Sequence, residues 1–174
     1  MTPVLVEWDR GELASHVDEV LDVYAEAMEV ARSSARSRRA VVAAHLERNG
    51  LRAVAAQLDS RLVGIAYGYR GAPGQWWHDQ VRAAMDPALA ATWLDDPFEV
   101  CELHVRPELH GTGVGRDLLL TLLEGTGART AVLTTPDLET RARAFYRAGG
   151  WTDLVRDLRF PGDPRSFAVL GLPL

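Results

Sequence analysis

The chain has 174 residues, 47% of them hydrophobic and 25% charged, a length and balance that suit one soluble domain with a real core. Its formal net charge is −5 and every basic side chain other than histidine is arginine, which argues against a nucleic-acid partner, since such binding rests on neutralising phosphates. The single cysteine, Cys101, excludes an internal disulfide framework and a multi-cysteine zinc site, and no long apolar run or basic leader marks a membrane partner or a signal peptide, so a cytoplasmic location is expected.

Val4 to Trp8 reads as a short strand punctuated by Asp9-Arg10-Gly11. Leu13, Val17, Val20, Leu21, Tyr24, Ala27 and Met28 recur at helical spacing and predict one amphipathic helix to about Val30. The segment from Arg32 to Arg39 reads as a polar, basic link whose arginines face solvent. Residues 40–48 read as a second helix stopped by Asn49-Gly50. Arg52 to Gln57 and Arg61 to Tyr69 form a hairpin around Asp59-Ser60, and Gly64 and Gly68 leave room for close packing on its second strand. Gly71 to Gly74 breaks that strand. A helical pattern then opens at Gln75-Trp76-Trp77-His78-Asp79, runs through Met85, and restarts at Asp86-Pro87 through Leu94. So long a connection in a compact domain is functional or flexible.

Phe98 to Val105 reads as a buried strand, followed by the turn Arg106-Pro107-Glu108-Leu109 and the loop His110-Gly111-Thr112-Gly113-Val114-Gly115. Leu118, Leu119, Leu122 and Leu123 form the apolar stripe of the helix behind that loop. Glycines permit positive φ and close approach, and a helix start presents N–H groups without acceptors at the positive end of a dipole. Residues 110–116 therefore read as a site for a phosphorylated ligand. A P-loop is excluded because Arg116-Asp117 follows the last glycine, and the dinucleotide fingerprint is excluded because position 116 is arginine. Thr130 to Thr134 is a further strand, parallel to the one before because a helix crosses over between them. Asp137 is a candidate cap for a helix over 138–148, closed by Gly149-Gly150. Thr152 to Phe160 and Ser166 to Leu172 are the last two strands.

The His110–Gly115 loop resembles the acyl-CoA loop of the GCN5-related N-acetyltransferases (GNAT), Gln/Arg-x-x-Gly-x-Gly/Ala, with histidine in the first position. Glu102 to Pro107 is similar to that family's fourth strand and turn, and Ala142 to Trp151 resembles its Ala-x-x-Phe-Tyr-x-x-x-Gly-Phe motif. The resemblance runs from about residue 52 onward; the first fifty residues match in pattern only. It implies an α/β fold on residues 1–174 as a single domain: a mixed, mostly antiparallel sheet splayed between strands four and five, with helices on both faces. It also implies acetyl-CoA as cosubstrate without a metal, held by His110, Gly111, Thr112, Gly113, Val114, Gly115 and Arg116, with Leu103, His104 and Val105 along the pantetheine arm and the Val105 N–H near the thioester oxygen. Glu139 stands where many members carry an asparagine, and Arg143 and Arg116 are the candidates to compensate on the phosphates.

The implied reaction is direct attack of a primary amine on the thioester. Tyr146 is the candidate general acid, because a phenol can donate to a nascent thiolate without ionising first. Glu102 and His104 share a strand face, and Glu102 is the first choice for a base; the alternative is a residue that only positions substrate. Trp76, Trp77 and His78 are candidates for the acceptor pocket; the alternative is one tryptophan on the sheet and the other on a surface or a homodimer contact. The family borders its acceptor pocket with the segment between the first two helices, which puts Arg32, Arg36, Arg38 and Arg39 near an acidic acceptor. A small-molecule acceptor is expected, since no extended charged groove is legible; a non-catalytic acyl-CoA- or amine-binding module and a protein or peptide N-acetyltransferase are the rivals.

Overall fold

The computed structural model describes residues 2–174, which pack as two compact units. The first unit takes the chain up to Tyr69 and resumes from Val100 to Thr126. Strand β1 (Val4–Trp8) leads to Asp9, whose carboxylate accepts from the Glu12 N–H at 2.8 Å while Glu12 accepts from the Asp9 N–H at 2.7 Å. This reciprocal box starts α1 (Arg10–Ser15). The expected single helix breaks at His16, whose ring stacks on Trp8 at 4.6 Å and whose Nδ1 meets the Glu12 carbonyl at 2.8 Å. The chain then re-enters as α2 (Val17–Ala27), with Val17, Val20, Leu21 and Val23 buried.

The expected polar link is itself partly helical. A five-residue helix, α3 (Arg32–Arg36), precedes α4 (Arg39–Leu46). Ala35 is buried against Val17, Leu21 and Ala25 of α2, and charge adds to that contact: Arg36 bonds Asp18 and lies 3.0 Å from Asp22, Arg32 lies 3.7 Å from Glu26, and Arg39 bonds Asp18. Strands β2 (Arg52–Leu58) and β3 (Arg61–Arg70) form the expected antiparallel hairpin, and β1 joins β2 antiparallel on its other edge. Asp59 and Ser60 both take positive φ, 49° and 64°, the two-residue turn whose twist matches the strands. Leu118 on α7 (Val114–Leu123) explains Gly64, where a Cβ would stand 2.9 Å from Leu118 Cδ1 and 3.3 Å from the His104 carbonyl. Trp8, Leu13, Val20, Val23, Leu62, Ile65 and Tyr67 form the core beneath the sheet.

The second unit takes Arg70–Glu99 and Gly127–Leu174. Helix α5 (Trp76–Ala83) and α6 (Pro87–Trp93) match the two helical patterns of the long connection, and Asp86 caps α6 through the Leu89 N–H at 2.9 Å with proline in its first turn. Strand β4 (Pro97–Val105) contributes its first three residues here, pairing Pro97–Glu99 in parallel with Thr130–Val132 of β5 (Thr130–Pro136). Helix α8 (Arg141–Ala148) starts later than expected, because Thr140 caps it through the Arg143 N–H while Asp137 is engaged by Arg143 and Arg156. Strands β6 (Thr152–Leu158) and β7 (Phe167–Pro173) pair antiparallel, and β7 pairs antiparallel with β5. Val81, Leu94, Val132 and Val169 are the centre of this unit's core.

The hydrogen-bonded strand order is β1-β2-β3-β4-β5-β7-β6, a mixed and mostly antiparallel seven-stranded sheet as expected. Among the described residues no helix is long and apolar enough to cross a membrane.

Gly171 in β7 tests this packing. A Cβ there would lie 2.7 Å from the Trp93 ring and from Leu154 Cδ1; the leucine end can swing, but the indole cannot. Gly171→Ala is expected to cost about 1–3 kcal/mol, the usual range for overpacking, read as a fall in the midpoint of thermal unfolding.

Candidate active site

The sequence after β4 builds the phosphate loop in three steps. Pro107 ends the strand and opens a 3₁₀ turn, Pro107–Leu109. His110 Nε2 then donates to the Val105 carbonyl at 2.7 Å, and the Thr112 hydroxyl donates to the Leu109 carbonyl at 2.7 Å, so the loop is tied back to the end of the strand. Gly111 and Gly113 take φ of 77° and 95°, which only glycine adopts without strain. Gly113 is the residue before α7 (Val114–Leu123), and the first bond of that helix runs from the Asp117 N–H to the Gly113 carbonyl at 3.0 Å. The N–H groups of Val114, Gly115 and Arg116 therefore have no acceptor within the helix. A Cβ built at Gly111 or Gly113 meets no atom within 4 Å, so both glycines border open space and positive φ, not crowding, is what calls for them. Open donors at a helix start fit an anionic pyrophosphate. His110 also holds the loop's shape through its Nε2.

A second group of polar side chains gathers at the middle of β4, all within the first unit. Glu102 is about one-tenth exposed on its side chain. One carboxylate oxygen receives His104 Nε2 at 2.5 Å and the other receives a guanidinium nitrogen of Arg38, which precedes α4. The Arg38 guanidinium also lies over the Tyr24 ring, 4.6 Å from its centroid, and the His104 ring meets that tyrosine edge-on at 5.0 Å. Beside them His45 Nδ1 and the Tyr67 hydroxyl are 3.0 Å apart. Burial alone would push the Glu102 carboxyl up, but the hydrogen bond and charge of His104 and the guanidinium of Arg38 outweigh it and hold the group at about 2. Burial lowers His45 against the pull of Glu102, and burial raises the Tyr67 phenol well above its ordinary value, with Glu102 adding to the effect.

This geometry redistributes the sequence-predicted roles. A carboxyl held near 2 is a weak base, so Glu102 serves better as the acceptor that orients His104 than as the group that takes a proton. Arg38 is the one member of the basic segment that meets the site; Arg32, Arg36 and Arg39 are engaged on α2. Leu103 is half-buried and Val105 buried on the same strand. Sequence reading missed Tyr24, His45 and Tyr67, which sit within helical and strand patterns as ordinary amphipathic positions.

The remaining candidates lie in the second unit. Tyr146 on α8 is largely buried, with edge contacts to Phe145 at 5.2 Å and Trp151 at 5.6 Å. The acceptor-pocket reading of the tryptophan helix is corrected in part. His78 is fully buried, with Nε2 donating to the Leu94 carbonyl at 3.0 Å, so its ring cannot touch a substrate in this arrangement. Trp77 packs on the core with its Nε1–H donating to Thr134 Oγ1 at 2.6 Å, and Trp76 is exposed and leans on Phe160 at 5.3 Å. One ring thus packs inward and the other stands exposed. Arg143 is likewise unavailable to a phosphate: it is buried and bonded to Asp137 at 3.0 Å and Asp153 at 2.9 Å. A cavity of about 240 Å³ beside it, walled also by Arg147, Trp151, Thr152 and Leu170, holds none of the acceptor candidates.

The Glu102 assignment has a stability signature. A carboxyl depressed in the folded state stabilises the fold fully above its unfolded value of about 4.5, and that contribution is lost as pH falls from there through about 2. Denaturant unfolding of the wild type is therefore expected to weaken more steeply over that window than that of Glu102→Gln.

A model of the acetyltransferase (GNAT) family matches residues 17–150. A GCN5-like protein acetyltransferase of Mycobacterium tuberculosis is 34% identical, with all of both chains covered. Among solved structures, an acetyltransferase of the GNAT family from Desulfovibrio desulfuricans superposes with a TM-score of 0.69 at 17% identity over 98% of each chain. The PaiA N-acetyltransferase of Thermoplasma acidophilum, solved with coenzyme A, superposes with a TM-score of 0.66 at 13% identity over the whole of both chains. The order of strands, the glycine loop at the start of α7 and these matches agree: the chain belongs to the GNAT family of acetyltransferases.

Proposed function

We propose that this acetyltransferase moves the acetyl group of acetyl-CoA to the primary amine of a small molecule, and that residues 1–174 act as a single transferase domain. The observation that carries the reading is the Glu102–His104 pair at 2.5 Å, one residue before Val105, whose carbonyl anchors the phosphate loop through His110. The proton-accepting pair and the anion-binding loop are thus built on consecutive residues of one strand and turn.

Acetyl-CoA supplies an activated thioester. The residues of the chain divide the remaining work. The N–H groups at the start of α7 hold the pyrophosphate, and the family resemblance gives the Val105 N–H the task of polarising the carbonyl. His104, with Nε2 committed to Glu102, receives the proton of the acceptor amine on its other nitrogen; an imidazole exchanges protons near neutral pH. As the nitrogen–carbon bond forms and the carbon–sulfur bond breaks, the departing sulfur needs a proton, a task the family resemblance gives to Tyr146. Glu102 orients the ring. A second acceptor, the ε-amino group of a protein lysine, is favoured by the mycobacterial relative, which carries the description of a protein acetyltransferase.

Thiol release from acetyl-CoA, measured against pooled small amines and against lysine peptides, tests the reading. Amine-dependent release is expected, with Tyr146→Phe slower by at least about 10-fold and His104→Ala slower by about 100-fold or more. Release with peptides alone would transfer the assignment to a protein acceptor. No release from any pool, with coenzyme A still binding in a calorimeter, would make the chain a binding module. A side chain at the left-handed Gly113 strains the loop, so Gly113→Val is expected to weaken coenzyme A binding by at least about 10-fold, in line with the 1–3 kcal/mol such backbone strain costs.

A further inference from the structure

Four arginines crowd the segment around α3, and their side chains divide sharply. Arg32, Arg36 and Arg39 engage Asp18, Asp22 and Glu26 along α2. Arg38 alone crosses to β4, over the face of Tyr24, and bonds Glu102. We propose that Arg38 is a positioning residue for the transfer reaction: it keeps Glu102 an ionised acceptor aimed at His104, which fixes the imidazole proton on Nε2 and leaves Nδ1 to receive the proton of the amine. The proposal rests on His104 being the proton acceptor of the transfer.

The geometry supports each link. Glu102 has two oxygens and uses them on different partners, Arg38 on one and His104 Nε2 on the other at 2.5 Å. An ionised carboxylate can only accept, so the ring nitrogen facing it must donate. Without that cation the carboxylate is free to turn away from the ring, Nε2 loses the acceptor that holds its proton, and the imidazole samples both neutral forms. With both side chains only about one-tenth exposed, water is poorly placed to substitute for the lost cation. Tyr24 couples the pieces mechanically, with Arg38 on its face at 4.6 Å and His104 against its edge at 5.0 Å.

His104 itself acts on this carboxylate through its hydrogen bond, and the groups beyond Arg38 and His104 do not supply a positive partner. His45 on α4 is kept neutral by burial, Tyr67 on β3 is held protonated by burial, and Arg48 beyond α4 stands over the Tyr69 ring at 5.9 Å. Cys101 on β4 packs against the core of the unit. The guanidinium bonded to Glu102 is that of Arg38.

The test compares wild type, Arg38→Gln and Arg38→Lys by two readouts. Kinetically, Arg38→Gln is expected to lower kcat by about 10-fold or more with KM for acetyl-CoA unchanged. Arg38→Lys should recover most of the rate. Independently of turnover, nitrogen-15 NMR of the His104 ring should show Nε2–H as the main neutral form in the wild type and a mixture in Arg38→Gln. A rate unchanged in Arg38→Gln, or one that falls with the ring tautomer unchanged and no recovery in Arg38→Lys, would reduce Arg38 to a packing residue and overturn the proposal. If the wild type acetylates nothing, the NMR comparison alone decides: a tautomer change with Arg38→Gln sustains the positioning role while the transferase reading falls, and an unchanged tautomer ends both. If Arg38→Gln does not fold, Arg38→Lys against wild type carries the same comparison, a preserved tautomer supporting the proposal and a mixed one opposing it.

Discussion

A carboxylate out of water needs partners, and in this protein the whole first unit bends to supply them. Glu102 sits at the middle of β4 with a guanidinium on one oxygen and an imidazole on the other. Removing such a charge from water costs several kcal/mol, and only excellent local geometry offsets it. The cation comes from a segment more than sixty residues earlier in the chain, and placing it requires the short α3, the start of α4 and the exposed lacing of arginines along α2. The helices ahead of the hairpin thus have a task beyond covering the core. They bring one side chain across to the strand on which the chemistry is assigned.

The second unit solves a different electrostatic problem with the same residue types. Arg143 is buried on α8 and spans Asp137 and Asp153, with Arg156 reinforcing both carboxylates. This ties the start of α8 to β6, and α8 carries Tyr146. Asp137 gives up the capping role its sequence suggests because two arginines compete for it, and Thr140 caps the helix instead. In both units an arginine is the structural cation, always charged and able to engage two partners with one planar head.

Much of the scaffold was legible in the sequence because it follows local rules. The hairpin turn at Asp59-Ser60, the two helices of the long connection and the leucine stripe of α7 depend on periodicity and turn chemistry, and the structure carries them where those rules put them. The glycine loop was legible for the same reason, since positive φ at Gly111 and Gly113 is a backbone demand that leaves a compositional trace. What stayed hidden depends on contacts across long sequence separations. Nothing local distinguishes Arg38 from Arg36 or Arg39, and only the fold decides that one of them reaches β4. His78 looked like a site residue beside two tryptophans, but helical rotation turned it inward to the Leu94 carbonyl. His16 ended a helix that the apolar pattern would have continued, because its ring found Trp8.

The lacing along α2 differs from the Arg143 clamp in one further respect, its exposure. The side chains of Arg32, Arg39 and Asp18 stand more than half open to solvent, whereas that of Arg143 is about 1% exposed. Exposed pairs are screened by salt, with a Debye length of about 8 Å at 0.15 M, and buried pairs much less so. Ionic strength therefore acts unequally on the two sets of pairs: rising salt screens the exposed arginines along α2, leaving the buried contact of Ala35 with Val17, Leu21 and Ala25 to hold that segment, while the Arg143–Asp137 pair is little screened.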